Sequence, residues 1–171
     1  MDGTTIRRGA LAGMGGGAMM AMFAMLAMWL DGSAATGFWT PVNLIAHTLW
    51  RDAPLDSTFS IGALALGVVM HMMMAMALGA AVATLASRAP QLGSSLSSRL
   101  ATGTGVAVML WVVMQYAAWP LVDRAAADAF TTWIFAVSHV VFGMVTAAVL
   151  HVLSTRGGST ARRRADAHAS G

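Results

Sequence analysis

Residues 57–87 read STFSIGALALGVVMHMMMAMALGAAVATLAS, a stretch without one charged side chain. A helix that crosses a hydrocarbon core of about 30 Å, rising about 1.5 Å per residue, needs roughly 20 residues, and this run exceeds that length. Working outward, residues 9–30, 100–122 and 129–155 are free of charge as well. The expected fold is therefore an all-α membrane protein, a four-transmembrane-helix bundle. One domain covers 1–156, with spans at about 9–30, 60–86, 100–121 and 131–154. The last segment, 157–171, is Gly, Ser, Thr, Ala and Arg in the main and reads as a flexible cytoplasmic tail.

Composition agrees with that class. The chain has 171 residues, of which 57% are hydrophobic and 10% charged, against roughly 25% charged in a soluble domain. A soluble enzyme, a nucleic-acid binder and a disordered chain are excluded on this ground. The absence of Cys rules out disulfides, thiolate metal sites and iron–sulfur clusters.

All ten basic residues are Arg and all seven acids are Asp. Eight arginines (Arg7, Arg8, Arg88, Arg99, Arg156, Arg162, Arg163 and Arg164) fall on one side of the four spans and two, Arg51 and Arg124, on the other. The positive-inside rule then puts both termini in the cytoplasm and segments 31–58 and 123–130 outside. Localisation in a bacterial cytoplasmic (inner) membrane is expected, with the lipid bilayer as partner and no nucleic acid. Arg7-Arg8, the apolar run and Ser33-Ala34-Ala35 imitate a twin-arginine signal with a small-residue cleavage site. The apolar stretch outruns the 7–15 residues of a signal core, which favours a retained first span.

Within the first span Gly9, Gly13 and Gly17 recur every fourth residue, a spacing that lets a neighbouring helix backbone approach closely. The neighbour is either a helix of the same bundle or a second copy in a homodimer. Between the first two spans, Gly37 to Arg51 is the most patterned loop. Thr40 reads as a cap with Pro41 at the first helical position, and Val42, Ile45, Ala46, Leu49 and Trp50 share a face. A short interfacial helix over about 41–50 follows, bracketed by Trp39 and Trp50, with Asn43 and His47 one turn apart on its other face.

Displacing the second span by 68 residues superposes Val69, His71, Met76, Ala80, Leu85 and Arg88 on Val137, His139, Met144, Ala148, Leu153 and Arg156. A shift of 90 places Gly13, Gly15, Met19, Ala27 and Trp29 on Gly103, Gly105, Met109, Ala117 and Trp119. The pattern is that of a parallel tandem repeat of two helical hairpins. It sets His71 and His139 at comparable depth on diagonal helices, flanked by small residues that include Gly67 and Gly143. Gln115 or Tyr116, on the intervening span, is the expected third member of a polar layer.

Polar groups at membrane depth are expensive and mark functional sites by default. Three readings of the layer stand open. The rings tie helices together or bind a ligand; they are axial ligands of a b-type haem, whose propionates would point toward Arg51 or Arg124; or they belong to a copper or small-solute transporter. For the last, Met70/Met74 and Met72/Met76 form two Met-x-x-x-Met pairs astride His71, soft donors that suit Cu(I). This resembles the Met-x-x-x-Met element of eukaryotic-type copper transporters, although here the Gly-x-x-x-Gly run precedes the methionines and there are four spans instead of three. No phosphate loop, carboxylate pair or nucleophilic triad is present in the sequence, so enzymatic activity is not expected.

Gly37, Trp39, Pro41 and Asn43, then His71, then Ala136, His139 and Gly143 make a layout similar to that of small, uncharacterised bacterial four-span membrane proteins. The resemblance implies fold and location and no activity.

Overall fold

The computed structural model describes residues 3–32, 36–88 and 95–169, with side chains described as far as residue 155. The described helices are α1 (Gly3–Asp31), α2 (Thr40–His47), α3 (Ile61–Arg88), α4 (Leu96–Val122), α5 (Arg124–Ala129) and α6 (Thr132–Ala169). No strand occurs among the described residues. Ser33-Ala34-Ala35, the run that imitates a cleavage site, lies outside them, as do the side chains of Arg162 to Arg164.

Four helices, Gly3–Asp31, Ile61–Arg88, Leu96–Val122 and the Thr132–Thr155 part of α6, are long and apolar enough to cross a membrane. Ala, Leu and Met are strong helix formers, and α1, α3 and α6 contain no Pro. The outer surfaces carry Leu30, Val69, Met73, Met109, Val113 and Leu121, each more than half exposed. So much contiguous apolar surface needs a hydrocarbon surrounding, as a multi-pass membrane protein has.

Helix α1 ends at Asp31, where Gly32 takes the left-handed conformation with φ 68° that closes a helix. In α4 the difficulty is Pro120, which has no N–H to offer the preceding turn. The helix widens there into a π turn over Met114–Ala118, and the Trp119 N–H donates to the Met114 carbonyl. Met114 and Trp119 consequently stand over the same side of the helix.

The spans are not packed as a closed square. Helix α1 lies between α3 and α6, α6 also packs on α4, and α3 scarcely touches α4. Small residues create these contacts. A Cβ on Gly13 would collide with the Ala75 carbonyl oxygen and lie 2.9 Å from the Gly79 Cα. A Cβ on Gly103 would lie 2.6 Å from the Gly143 carbonyl oxygen and 2.9 Å from the Ala147 Cβ. Shifts of 90 and 68 turn the first set, Gly13 with Ala75 and Gly79, into the second, Gly103 with Gly143 and Ala147. Gly9 and Gly17 also face α3, so the glycine face of the first span is filled within the chain. On another side of α1, Gly16 admits Thr146 and Phe142 of α6.

Helix α2 is laid across one end of the bundle, with Gly67 of α3 admitting the carbonyl of Val42. Thr40 to Leu44, Ala46 and His47 are all buried, so both of its faces meet protein. The helix starts one residue earlier and ends three residues sooner than the 41–50 that the sequence pattern indicates, leaving Leu49 and Trp50 beyond it. Trp39 stands at the cap without a side-chain bond, and the Thr40 hydroxyl is buried with no partner among the described residues.

Candidate ligand cavity between two histidines

The spans and α2 surround a partly open cavity of about 110 Å³. His71 on α3 and His139 on α6 both line it, with Pro41, Val42 and Ile45 of α2 as its roof. The two rings that the sequence singles out are therefore brought to one space. Gln115 and Tyr116 do not line it; Tyr116 is 65% exposed and packs edge-on against Trp111. The third span contributes Met114 and Trp119 instead, the pair aligned by the π turn.

Each ring is pinned by a backbone carbonyl. His71 Nε2 donates to the Gly17 carbonyl at 2.9 Å, across the gap between α3 and α1. A Cβ on Gly17 would lie 3.5 Å from that nitrogen and 2.5 Å from the Ala75 Cβ, so this approach requires glycine. His139 Nδ1 donates to the Phe135 carbonyl of its own helix at 2.9 Å. Its ring also stands edge-on to Phe135 at 4.4 Å, and Phe135 stacks on Trp119 at 5.0 Å. A carbonyl only accepts, so these bonds fix the tautomers. Nδ1 of His71 and Nε2 of His139 keep their lone pairs, with no hydrogen bond to either among the described residues.

Met70, Met72 and Met74 of α3 line the cavity, while Met76 does not; Met20 of α1 and Met114 of α4 join them. These last two are invisible to a sequence reading, because methionine is a common apolar filler and the two lie far apart in the chain. Among the described residues no group of three or more His, Cys, Asp or Glu is assembled that could hold a metal ion. A haem would need a wider opening than this one. The cavity of about 110 Å³ is smaller than the roughly 150 Å³ that holds a single benzene ring. The arginines expected to meet propionates are also engaged, Arg51 with Asp123 and Arg124 with Asp128.

A second polar cluster holds the roof down. Asn43, 1% exposed, donates from Nδ2 to the carbonyls of Asp56 and Thr58, both at 2.9 Å, and so staples the following loop to α2. His47 Nδ1 donates to Asp123 Oδ2 at 2.5 Å, and Arg51 Nη1 reaches the same oxygen at 2.6 Å. Arg51 Nη2 adds a 2.6 Å bond to the Val122 carbonyl. The other oxygen of Asp123 caps α5 by accepting from the Ala126 N–H at 3.1 Å. Burial alone would raise the pKa of Asp123. The bonds from His47 and Ala126 and the charges of His47 and Arg51 outweigh it and hold the carboxyl below the ordinary Asp range. The periodicity of α2 places Asn43 and His47 on one face, but nothing in it points to Asp123. Trp39 packs on Phe59 at 5.0 Å, and Trp50 lies over Gly62.

No model of a known protein family, no curated protein and no solved structure matches the chain.

Proposed function

We propose that this protein is a membrane-embedded binding protein whose ligand sits between His71 and His139. The observation that carries the reading is that rings from two different spans line one cavity, each with one nitrogen held by a carbonyl and the other left with its lone pair. A bond to a carbonyl orients an imidazole and fixes which nitrogen is free to accept, much as outer hydrogen bonds do for ligating histidines. The ligand is small, a single ion or a molecule of a few heavy atoms, in keeping with a space of about 110 Å³.

The setting proposed with it is a bacterial inner membrane with both termini cytoplasmic, resting on the eight-to-two division of arginines. Helix α2 then lies at the outer interface, between Trp39 and Trp50. We read the two hairpins as copies of one unit, because the crossings at Gly13 and Gly103 involve positions related by the shifts of 90 and 68, the second of which also relates the histidines.

Xenon tests the cavity without reference to chemistry, since it enters apolar cavities of this scale. In detergent-solubilised protein labelled at the methionine methyl groups, xenon pressure is expected to move the signals of Met20, Met74 and Met114 and leave Met73 unmoved. Ala24→Leu, which fills the cavity wall, is expected to abolish the response. Unmoved signals in the unsubstituted protein would overturn the reading.

A further inference from the structure

We infer that the cavity is a site for one soft monovalent cation of the Cu(I) or Ag(I) type, held by His71 Nδ1, His139 Nε2 and the thioethers of Met20, Met74 and Met114. The inference rests on the binding reading above and names the ligand class for it. Methionines from three separate spans, α1, α3 and α4, line the same space as both rings, Met70 and Met72 beside Met74 on α3. Met73 and Met76 are not among the lining residues; Met74 lines the cavity at its open side, 37% exposed against 39% for Met76.

The donor set decides the class of ion. All of these donors are neutral, and neither carboxylate nor thiolate stands among the lining residues. Thioether and imidazole are soft ligands that select Cu(I), whereas Mg²⁺, Ca²⁺ and Mn²⁺ require oxygen. Charge decides in the same direction. The energy of moving an ion from water into an apolar medium grows with the square of its charge, so a divalent ion meets about four times the penalty with no anion in the wall to offset it. Size agrees as well, because a space of about 110 Å³ accommodates one ion and the ends of its ligands. The pinned rings add preorganisation: each imidazole is oriented before the ion arrives, and the free nitrogens lie on opposite ring positions of the two histidines.

The test uses the full chain in mild detergent. Silver(I), which has no redox chemistry under these conditions, is titrated while the histidine ring nitrogens are followed by NMR, and Cu(I) affinity is read by competition with a chromogenic chelator. One ion per chain is expected, with shifts confined to Nδ1 of His71 and Nε2 of His139. Met74→Leu and Met114→Leu preserve volume and fold, and each is expected to weaken binding at least about tenfold, or about 1.4 kcal/mol. Met73→Leu and Met76→Leu are expected to leave it unchanged. The inference is overturned by the absence of a stoichiometric ion, by binding that survives both cavity variants, or by Zn²⁺ binding as tightly as silver. Xenon entry without silver binding would defeat the cation and leave the cavity reading standing; failure of both would remove both.

Discussion

The first hairpin, α1 to α3, and the second, α4 to α6, place a histidine at the same cavity in different ways. His71 reaches out of its own helix to the carbonyl of Gly17, and that contact exists because Gly17 has no side chain. The position that a shift of 90 relates to Gly17 is Ala107, whose Cβ fills the corresponding gap. His139 accordingly turns back to the carbonyl four residues before it. At the other related pair, Gly67 admits the backbone of α2, while Phe135 fills the space itself and stacks on Trp119. Both hairpins cross on small residues, but beside the cavity the first brings backbones together while the second fills the room with aromatic rings. The consequence is chemical, because pinning opposite nitrogens leaves opposite nitrogens free.

The sharpest way to break the comparison is at the crossings. Gly13→Ala drives a methyl group into the Ala75 carbonyl, and Gly103→Ala sets one 2.6 Å from the Gly143 carbonyl. Overpacking of this kind costs about 1–3 kcal/mol. Gly13→Ala is expected at the upper end, Gly103→Ala somewhat lower, and Gly105→Ala, which meets nothing within 4 Å, near zero. Unfolding in detergent, followed by helical signal, checks the order.

The next effect is at the clasp that joins the hairpins. Asp123→Asn removes the charge that His47 and Arg51 share and is expected to lower stability by about 2 kcal/mol. The share from Arg51 is small because its side chain is 54% exposed. The native pKa of Asp123 is depressed, so its contribution is complete above the unfolded Asp value of about 3.9. It is lost as the pH falls below that value and through the native one. Acid titrations of the parent and of Asp123→Asn should therefore converge below about pH 4; parallel curves would show that the clasp does not carry the difference.

The smallest effect separates the histidines themselves. His71→Gln breaks a bond between helices and is expected to destabilise by about 1 kcal/mol, against about 0.3 kcal/mol for His139→Gln, whose bond stays within one helix. Equal losses would mean that the two rings play the same packing part.

Much of this was legible in the sequence, for identifiable reasons. Apolar runs long enough to cross a membrane announce themselves by the absence of charge, and a histidine inside such a run stands out because so little around it is polar. Gln115 and Tyr116 stood out equally, yet the π turn before Pro120 changes which residues face inward, and a periodicity of 3.6 has no means of anticipating it. Asp123 is one loop acid among several in the sequence, and only the packing of α2, which buries His47 against it, sets it apart. Met20 and Met114 carried no signal, because only the packing of three helices separates a lining methionine from one on the outside.

The position of α1 between α3 and α6 has a further consequence for biogenesis. A chain emerging from its N-terminus completes the α1–α3 crossing early, with Gly13 and Gly79 already in contact. The side of α1 that carries Gly16 stays uncovered until Thr146 and Phe142 arrive with the final span. For that interval half of the cavity wall, with His71 already oriented, waits beside lipid. Helix α6, made after the other three spans, brings in His139, so a ligand between the two rings would have to wait for its insertion.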